Sequence, residues 1–202
     1  MSEQDWVWRA RAGDEAAFTQ LVEAYQTPIY NLCYRMLGEA GEAEDAAQET
    51  FLRAYAQLGS YDAGRSFKTW LFSIANHHCI DRLRKRRLTW LSIDDDNLPP
   101  HPALQEQEPG PEESLVRRQQ TQMLQGLLAK LPPEDRSVIV MRYWYDLSYE
   151  EIAEATRTTV SAVKSRLHRA RGIMGQMLEP SAAPGSAPAP RPAAGGPVRV
   201  GG

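Results

Sequence analysis

The chain has 202 residues, 42% of them hydrophobic, and a net charge of −3, enough for one ordinary domain or two small ones with compact cores. No apolar run approaches the roughly 20 residues of a membrane span, and the acidic start Met1–Trp6 lacks the apolar stretch of a secretion signal. The two cysteines, Cys33 and Cys79, form no Cys-x-x-Cys pair, which excludes a structural zinc finger or a disulfide framework and points to a soluble cytoplasmic protein.

A first helix is predicted from Asp14, its N-cap, to Leu37, with Phe18, Leu21, Val22, Tyr25, Leu32, Cys33 and Met36 at helical spacing and Pro28 interrupting the pattern. A second spans 43–58, with Ala47, Phe51, Tyr55 and Leu58 expected inward. Residues 59–66 are turn-rich. A third helix follows over 67–87, with Phe67, Trp70, Leu71 and Ile74 inward. Residues 94–112, which hold five prolines and no Lys or Arg, read as a flexible acidic linker. Helical spacing resumes near Glu113 and is punctuated by Pro132-Pro133. Ser148-Tyr149-Glu150-Glu151 fits a capping box opening a short helix to about Ala155. After the turn 156–158 comes a last helix over 159–178. Beyond residue 180 the Pro/Ala/Gly/Ser composition cannot bury enough surface to offset its ordering entropy and is expected to be disordered. Nothing alternates like a strand. The expected fold is all-α: a helical domain over 1–93, a linker over 94–112, a second helical domain over 113–179 and a tail over 180–202.

Charge is unevenly placed. Residues 1–93 carry 11 basic and 12 acidic side chains, residues 94–113 carry 7 acids and no base, and residues 114–179 carry 10 bases against 7 acids. Arg82, Arg84, Lys85, Arg86 and Arg87 occupy five of six consecutive positions. Such a density of like charge reads either as a contact with a polyanion or as a solvated helix end favoured by the helix dipole. Phe67, Trp70 and Phe72 precede it; they read either as core or as stacking surfaces for exposed bases.

The last two helices have the spacing of a helix-turn-helix. On the final helix Val163, Leu167 and Ala170 share a face. Opposite lie Ser161, Ser165, His168, Arg169 and Gly172, flanked by Lys164 and Arg166. That arrangement suits a major groove, with Arg169 central for base edges and Lys164 at the rim for phosphate. A solvated amphipathic helix is the plainer alternative. On the second helix Asp45, Gln48 and Glu49 surround Leu52 on a polar face, either an ordinary surface or a protein-docking patch. His77, His78 and Asp81 have helical spacing without further ligands nearby, and no phosphate loop or nucleophile motif is present. Neither catalysis, a metal nor a cofactor is expected.

Six segments, in this order, resemble the extracytoplasmic-function (group 4, σ70-family) sigma factors of bacterial RNA polymerase: Gly13–Phe18, Ala43–Phe51, Phe67–Leu71, Leu131–Glu134, Leu147–Ala153 and Val163–Arg171. The resemblance implies σ2 and σ4 helical domains that direct core polymerase to promoters. It carries core docking on the β′ clamp coiled coil over to Asp45, Gln48, Glu49 and Leu52. It assigns −10 recognition and melting to the third helix, with Asn76, His77, Arg82, Lys85 and Arg86. It assigns −35 recognition to the last, with Lys164, Ser165, Arg166, His168 and Arg169. The implied partners are core polymerase (β′ clamp and β flap), promoter DNA and an anti-sigma factor, without membrane insertion. The acidic linker is implied to enter the polymerase channel. Two positions depart from the family pattern: His77 stands where an Asn usually serves a flipped −10 base, with Asn76 just before it, and Ser161-Ala162 replaces Gly-Thr. A stand-alone helix-turn-helix regulator is the alternative; it leaves the first domain unexplained.

Overall fold

The computed structural model describes the backbone of residues 2–91 and 111–178 and the side chains of residues 2–87 and 119–178. The expected linker, up to residue 110, and the expected tail from 180 lie outside the described residues. All regular structure among the described residues is helical: α1 (Glu3–Arg11), α2 (Glu15–Leu37), α3 (Ala40–Gln57), α4 (Phe67–Leu91), α5 (Pro111–Ala129), α6 (Pro133–Tyr145), α7 (Tyr149–Ala155) and α8 (Val160–Leu178). A single 3₁₀ turn, Leu58–Ser60, follows α3.

Helix α1 was not foreseen. Ser2 starts it with a capping box, accepting from the Asp5 amide while the Asp5 carboxylate accepts from the Ser2 amide. Val7 and Ala10 anchor it on the first domain, and Tyr25 of α2 donates to Glu3. Asp14 caps α2 as expected, accepting from the Ala17 amide at 3.1 Å. Helix α2 runs on through Pro28 and stops at Gly38, whose φ of 85° is a left-handed C-cap that glycine adopts without strain. Helix α5 begins at Pro111, two residues inside the expected linker. Proline fits the first helical position because its missing N–H has no intrahelical partner there.

One expected face is wrong. The buried face of α3 is Ala43, Ala46, Ala47, Thr50 and Ala54, with Leu58 just beyond. These short side chains let α3 lie close to α2 and α4, so the larger Phe51 and Tyr55 are pushed to the rim. Phe51 is half-buried and Tyr55 exposed, edge-on to Phe18 with centroids 4.9 Å apart. On α4, by contrast, Phe67, Leu71, Phe72, Ala75 and Cys79 are core residues. Phe67 packs with Tyr25, Tyr61 and Trp70 at centroid separations of 5.5–5.7 Å. Those aromatics therefore hold the domain together, with Trp70 half-buried at its edge.

The second domain closes onto the first. Helix α2 meets α5 and α6, and α4 meets α6 and α7. The last carbonyls of a helix lack intrahelical donors; at the end of α2 Tyr34 O takes the Gly38 amide at 2.8 Å, and the other domain supplies further donors. Gln125 of α5 donates to Tyr34 O and Arg35 O at 3.1 and 3.2 Å, and Arg136 of α6 donates to Met36 O. In return Lys68 of α4 donates to Tyr145 O, at the end of α6, at 2.9 Å. Tyr145 donates to Pro28 O at 2.7 Å, and its ring lies edge-on to Phe72 at 4.6 Å. Among the described residues Arg136 has no carboxylate hydrogen-bond partner, only the carbonyls of Met36, Ala129 and Leu131. Burial lowers its pKa to about 10, so it stays charged at neutral pH.

Candidate nucleic-acid interface

Helices α7 and α8 form the expected helix-turn-helix. Ser148 accepts from the Glu151 amide at 3.1 Å and its own amide donates to the Glu151 carboxylate at 2.8 Å, completing the capping box. The turn carries Arg157 at φ 52°, and Thr159 accepts from the Ala162 amide at 3.2 Å to start α8. Val163, Leu167 and Ala170 are buried against α6 and α7. Ser161, Lys164, Ser165, His168 and Arg169 are exposed, and Arg166 is half-buried. The polar face of α8 is thus open to solvent over more than two turns.

Arg169 is not loose on that face. Its Nε donates to Asp135 Oδ2 at 2.5 Å and its Nη2 to Oδ1 at 2.6 Å. Asp135, in the first turn of α6, is 0% exposed, whereas the Arg169 side chain is 56% exposed. The preceding residue, Glu134, takes Arg84 of the α4 basic run at 2.8 Å. Two adjacent carboxylates at one helix start, where the dipole favours negative charge, therefore hold one arginine from each candidate DNA helix. Nothing in the amino-acid spacing signals these two pairings, because each joins elements over 30 residues apart in sequence.

On α4 the same residues that the sequence singles out fall into three states. Asn76 is 0% exposed; its Oδ1 accepts from Ser137 of α6 at 2.5 Å, and its Nδ2 has no hydrogen-bond partner among the described residues. His77 is half-buried, its Nδ1–H donating to Ser73 O at 2.6 Å. Arg82 and Arg86 turn toward α3: Arg86 pairs with Glu42, and Arg82 reaches Asp45 at 3.8 Å and Glu42 O at 3.4 Å. Lys85 is exposed. The basic run is therefore half braced against its own domain and half turned to solvent.

The polar face of α3 stands where expected. Asp45 and Gln48 are exposed, and Glu49 is half-buried and paired with Arg53 at 2.6 Å. Leu52 is 67% exposed. It forms one wall of an apolar groove of about 580 Å³ between α2 and α3, with Phe18, Val22, Phe51 and Tyr55. Sequence reasoning found Leu52 but missed the groove, because it placed Phe51 and Tyr55 in the core. Among the described residues no group of three metal-ligating side chains comes together, and no helix is long and apolar enough to cross a membrane.

Comparison with known proteins now fits these two domains. The Sigma-70 region 2 family model matches residues 21–89 and the Sigma-70 region 4 model matches residues 121–174. The chain is 38% identical over 174 residues to the extracytoplasmic-function sigma factor SigW of Bacillus subtilis, covering 84% of this chain and 93% of that protein. It is 33% identical over 183 residues to the sigma-H factor of Pseudomonas aeruginosa, covering 88% and 94%. Among solved structures, CnrH in complex with the cytosolic domain of CnrY superposes with a TM-score of 0.64 at 26% identity, over 87% of this chain and 96% of that one. The chain belongs to the extracytoplasmic-function sigma factors of the σ70 family. Its activity is that of an RNA polymerase sigma factor, which directs promoter-specific initiation. The region 2 match accounts for residues 21–89, most of the first domain, which a stand-alone helix-turn-helix regulator leaves without a purpose.

Proposed function

We propose the following division of labour within that activity. The first domain, over 1–93, docks on the β′ clamp of core polymerase through Asp45, Gln48, Glu49 and Leu52. Its helix α4 receives the −10 strand with Asn76, His77, Arg82, Lys85 and Arg86. The second domain, over 113–179, presents Lys164, Ser165, Arg166, His168 and Arg169 to the −35 element and meets the β flap. The acidic segment 94–112 joins the two inside the polymerase, and residues 180–202 take no part. The chain binds and positions without making or breaking covalent bonds itself, and it works in the cytoplasm, where the polymerase is.

The observation that carries the docking assignment is Leu52. A helix whose packing face is almost all alanine still shows a large apolar side chain to solvent, ringed by two carboxylates and an amide. Apolar centres with polar rims are how protein interfaces are built. An anti-sigma partner belongs to the same reading, since the similar structure of CnrH was captured with the cytosolic domain of CnrY.

Run-off transcription with purified core polymerase on a library of genomic fragments tests the whole reading. Transcripts that start downstream of one shared pair of elements support it. Fragments retained by the chain equally well without core support the stand-alone regulator instead.

A further inference from the structure

We propose that Asp135 is a positioning residue for promoter reading: it fixes the plane of the Arg169 guanidinium so that its outer edge meets a base. The inference rests on the reading of α8 as the −35 helix and adds a residue that lies outside α8 and cannot touch DNA itself.

The geometry separates the two edges of the guanidinium. Asp135 takes the side edge, through Nε at 2.5 Å and Nη2 at 2.6 Å. A guanidinium has five N–H donors in one plane. Three remain, two on Nη1 and one on Nη2, and of these one Nη1–H and the Nη2–H make up the end edge. That end edge is the fork that matches the O6 and N7 acceptors of guanine in the major groove. One arginine can therefore hold a carboxylate and read a base together.

Burial sets the direction. Asp135 is sealed, with no side-chain hydrogen-bond partner other than Arg169 among the described residues, while most of the arginine side chain is in solvent. The fixed member is the acid and the presented member is the base-reader. Ser165 and His168 lie exposed on the same face, so the held guanidinium sits within the reading surface. A free arginine on a helix surface loses rotamer freedom when it binds DNA, and it can slide to the nearest phosphate instead. A planar two-point pair removes both the freedom and the choice, which is how preorganisation raises specificity.

The test uses holoenzyme reconstituted from core polymerase and the full chain, with a panel of −35 elements changed one base pair at a time. Arg169→Ala is expected to relax choice at one base pair by about 10- to 100-fold. Asp135→Ala is expected to relax the same base pair by about 10-fold and to leave discrimination elsewhere unchanged. Asp135→Asn keeps the shape and one acceptor, removes the charge, and is expected to fall between wild type and Asp135→Ala; it serves should the alanine variant not fold. A uniform loss of affinity in both Asp135 variants, with every ratio between promoters unchanged, overturns the inference and makes the pair a staple between α6 and α8. If Arg169→Ala relaxes one base pair and neither Asp135 variant does, the −35 reading stands and the inference falls. If Arg169→Ala weakens all elements equally, Arg169 is a phosphate contact and both fall.

Discussion

On α8 all the side chains assigned to the −35 element but the half-buried Arg166 lie in solvent, whereas on α4 Asn76 is sealed beneath α6 and His77 is half-buried. Under the proposed assignment the two helices face different nucleic-acid forms, and the difference follows from that. A helix that reads a closed duplex needs only a finished outer face, which water can cover until DNA arrives. A helix that receives an unstacked base needs a concave polar wall, and a polar wall left against apolar neighbours must find hydrogen bonds. Here the second domain supplies them through Ser137, and it does so incompletely, since Nδ2 of Asn76 is unpartnered among the described residues. A buried amide left half satisfied costs about 1–3 kcal/mol. The closed packing thus covers the face proposed for the −10 strand with a hydrogen bond that leaves half of the Asn76 amide unsatisfied.

The largest effect should come from breaking that cover. Ser137→Ala together with Gln125→Ala removes the bond to Asn76 and the bonds to the end of α2 without touching either DNA face. At about 0.5–1.5 kcal/mol for each of the three net bonds, plus the unsatisfied amide, the closed arrangement should lose at least about 2 kcal/mol. That is about 30-fold or more in the balance between closed and parted domains. The free chain should then bind a labelled −10 single strand correspondingly tighter and scatter X-rays as a larger particle. Affinity and size both unchanged would mean that the packing does not guard the −10 face.

Next in size is the docking face of α3, which has no such cover. Asp45→Arg with Glu49→Arg should weaken binding to core polymerase by about 10-fold or more, chiefly through repulsion across the interface. Stability should barely change, because the Glu49–Arg53 and Asp45–Arg82 pairs that the variant removes are both partly exposed and screened by solvent. Equal dissociation constants for mutant and wild type would remove the docking assignment.

A smaller effect is expected in the α4 basic run. Replacing Arg82, Lys85 and Arg86 by Ala should leave core binding intact and reduce opening of the −10 region, read by permanganate reactivity. The salt dependence of single-strand binding should flatten by about 0.7 for each phosphate that is no longer neutralised. Because Arg82 and Arg86 pair with Asp45 and Glu42, their release for DNA is partial, and the change should fall short of three full phosphates. Full permanganate reactivity in the mutant holoenzyme would contradict it.

The contrast between the helices also marks what the sequence can carry. Asp14, the Ser148–Glu151 box and the Val163–Leu167–Ala170 stripe are local, within five residues or on one helix face, and each is where periodicity and capping chemistry put it. The alanine face of α3 misled for a physical reason. Hydrophobic pattern weights Phe51 and Tyr55 above alanine, but close helix packing selects the smallest side chains. Asn76–Ser137, Gln125 on the end of α2 and Asp135–Arg169 span 61, 91 and 34 positions. No spacing rule reaches that far, so the residues of the candidate interfaces were legible while their partners were not.

The smallest predicted effect lies on the border of the two faces of the first domain. His78 is half-buried, with its Nε2 unpartnered among the described residues. Burial first, then Arg53 and Arg82, hold its pKa below the ordinary 6.5, only partly offset by Glu49 and Asp81. The folded chain therefore takes up this proton less readily than the unfolded chain. Stability is level above pH 6.5 and declines as the pH falls from there toward the lower folded value. Glu49 and Glu134, whose pKa values lie below the ordinary 4.5, act in the same direction but only at more acid pH. The interval from pH 6.5 to 5 thus isolates the histidine. Because the ring is only half-buried, solvent screening keeps the drop in unfolding midpoint there to on the order of a degree or two. His78→Gln should level that part of the profile and leave the steeper fall below pH 4.5 in place. A profile unchanged by the substitution would show that His78 titrates as it does in the unfolded chain.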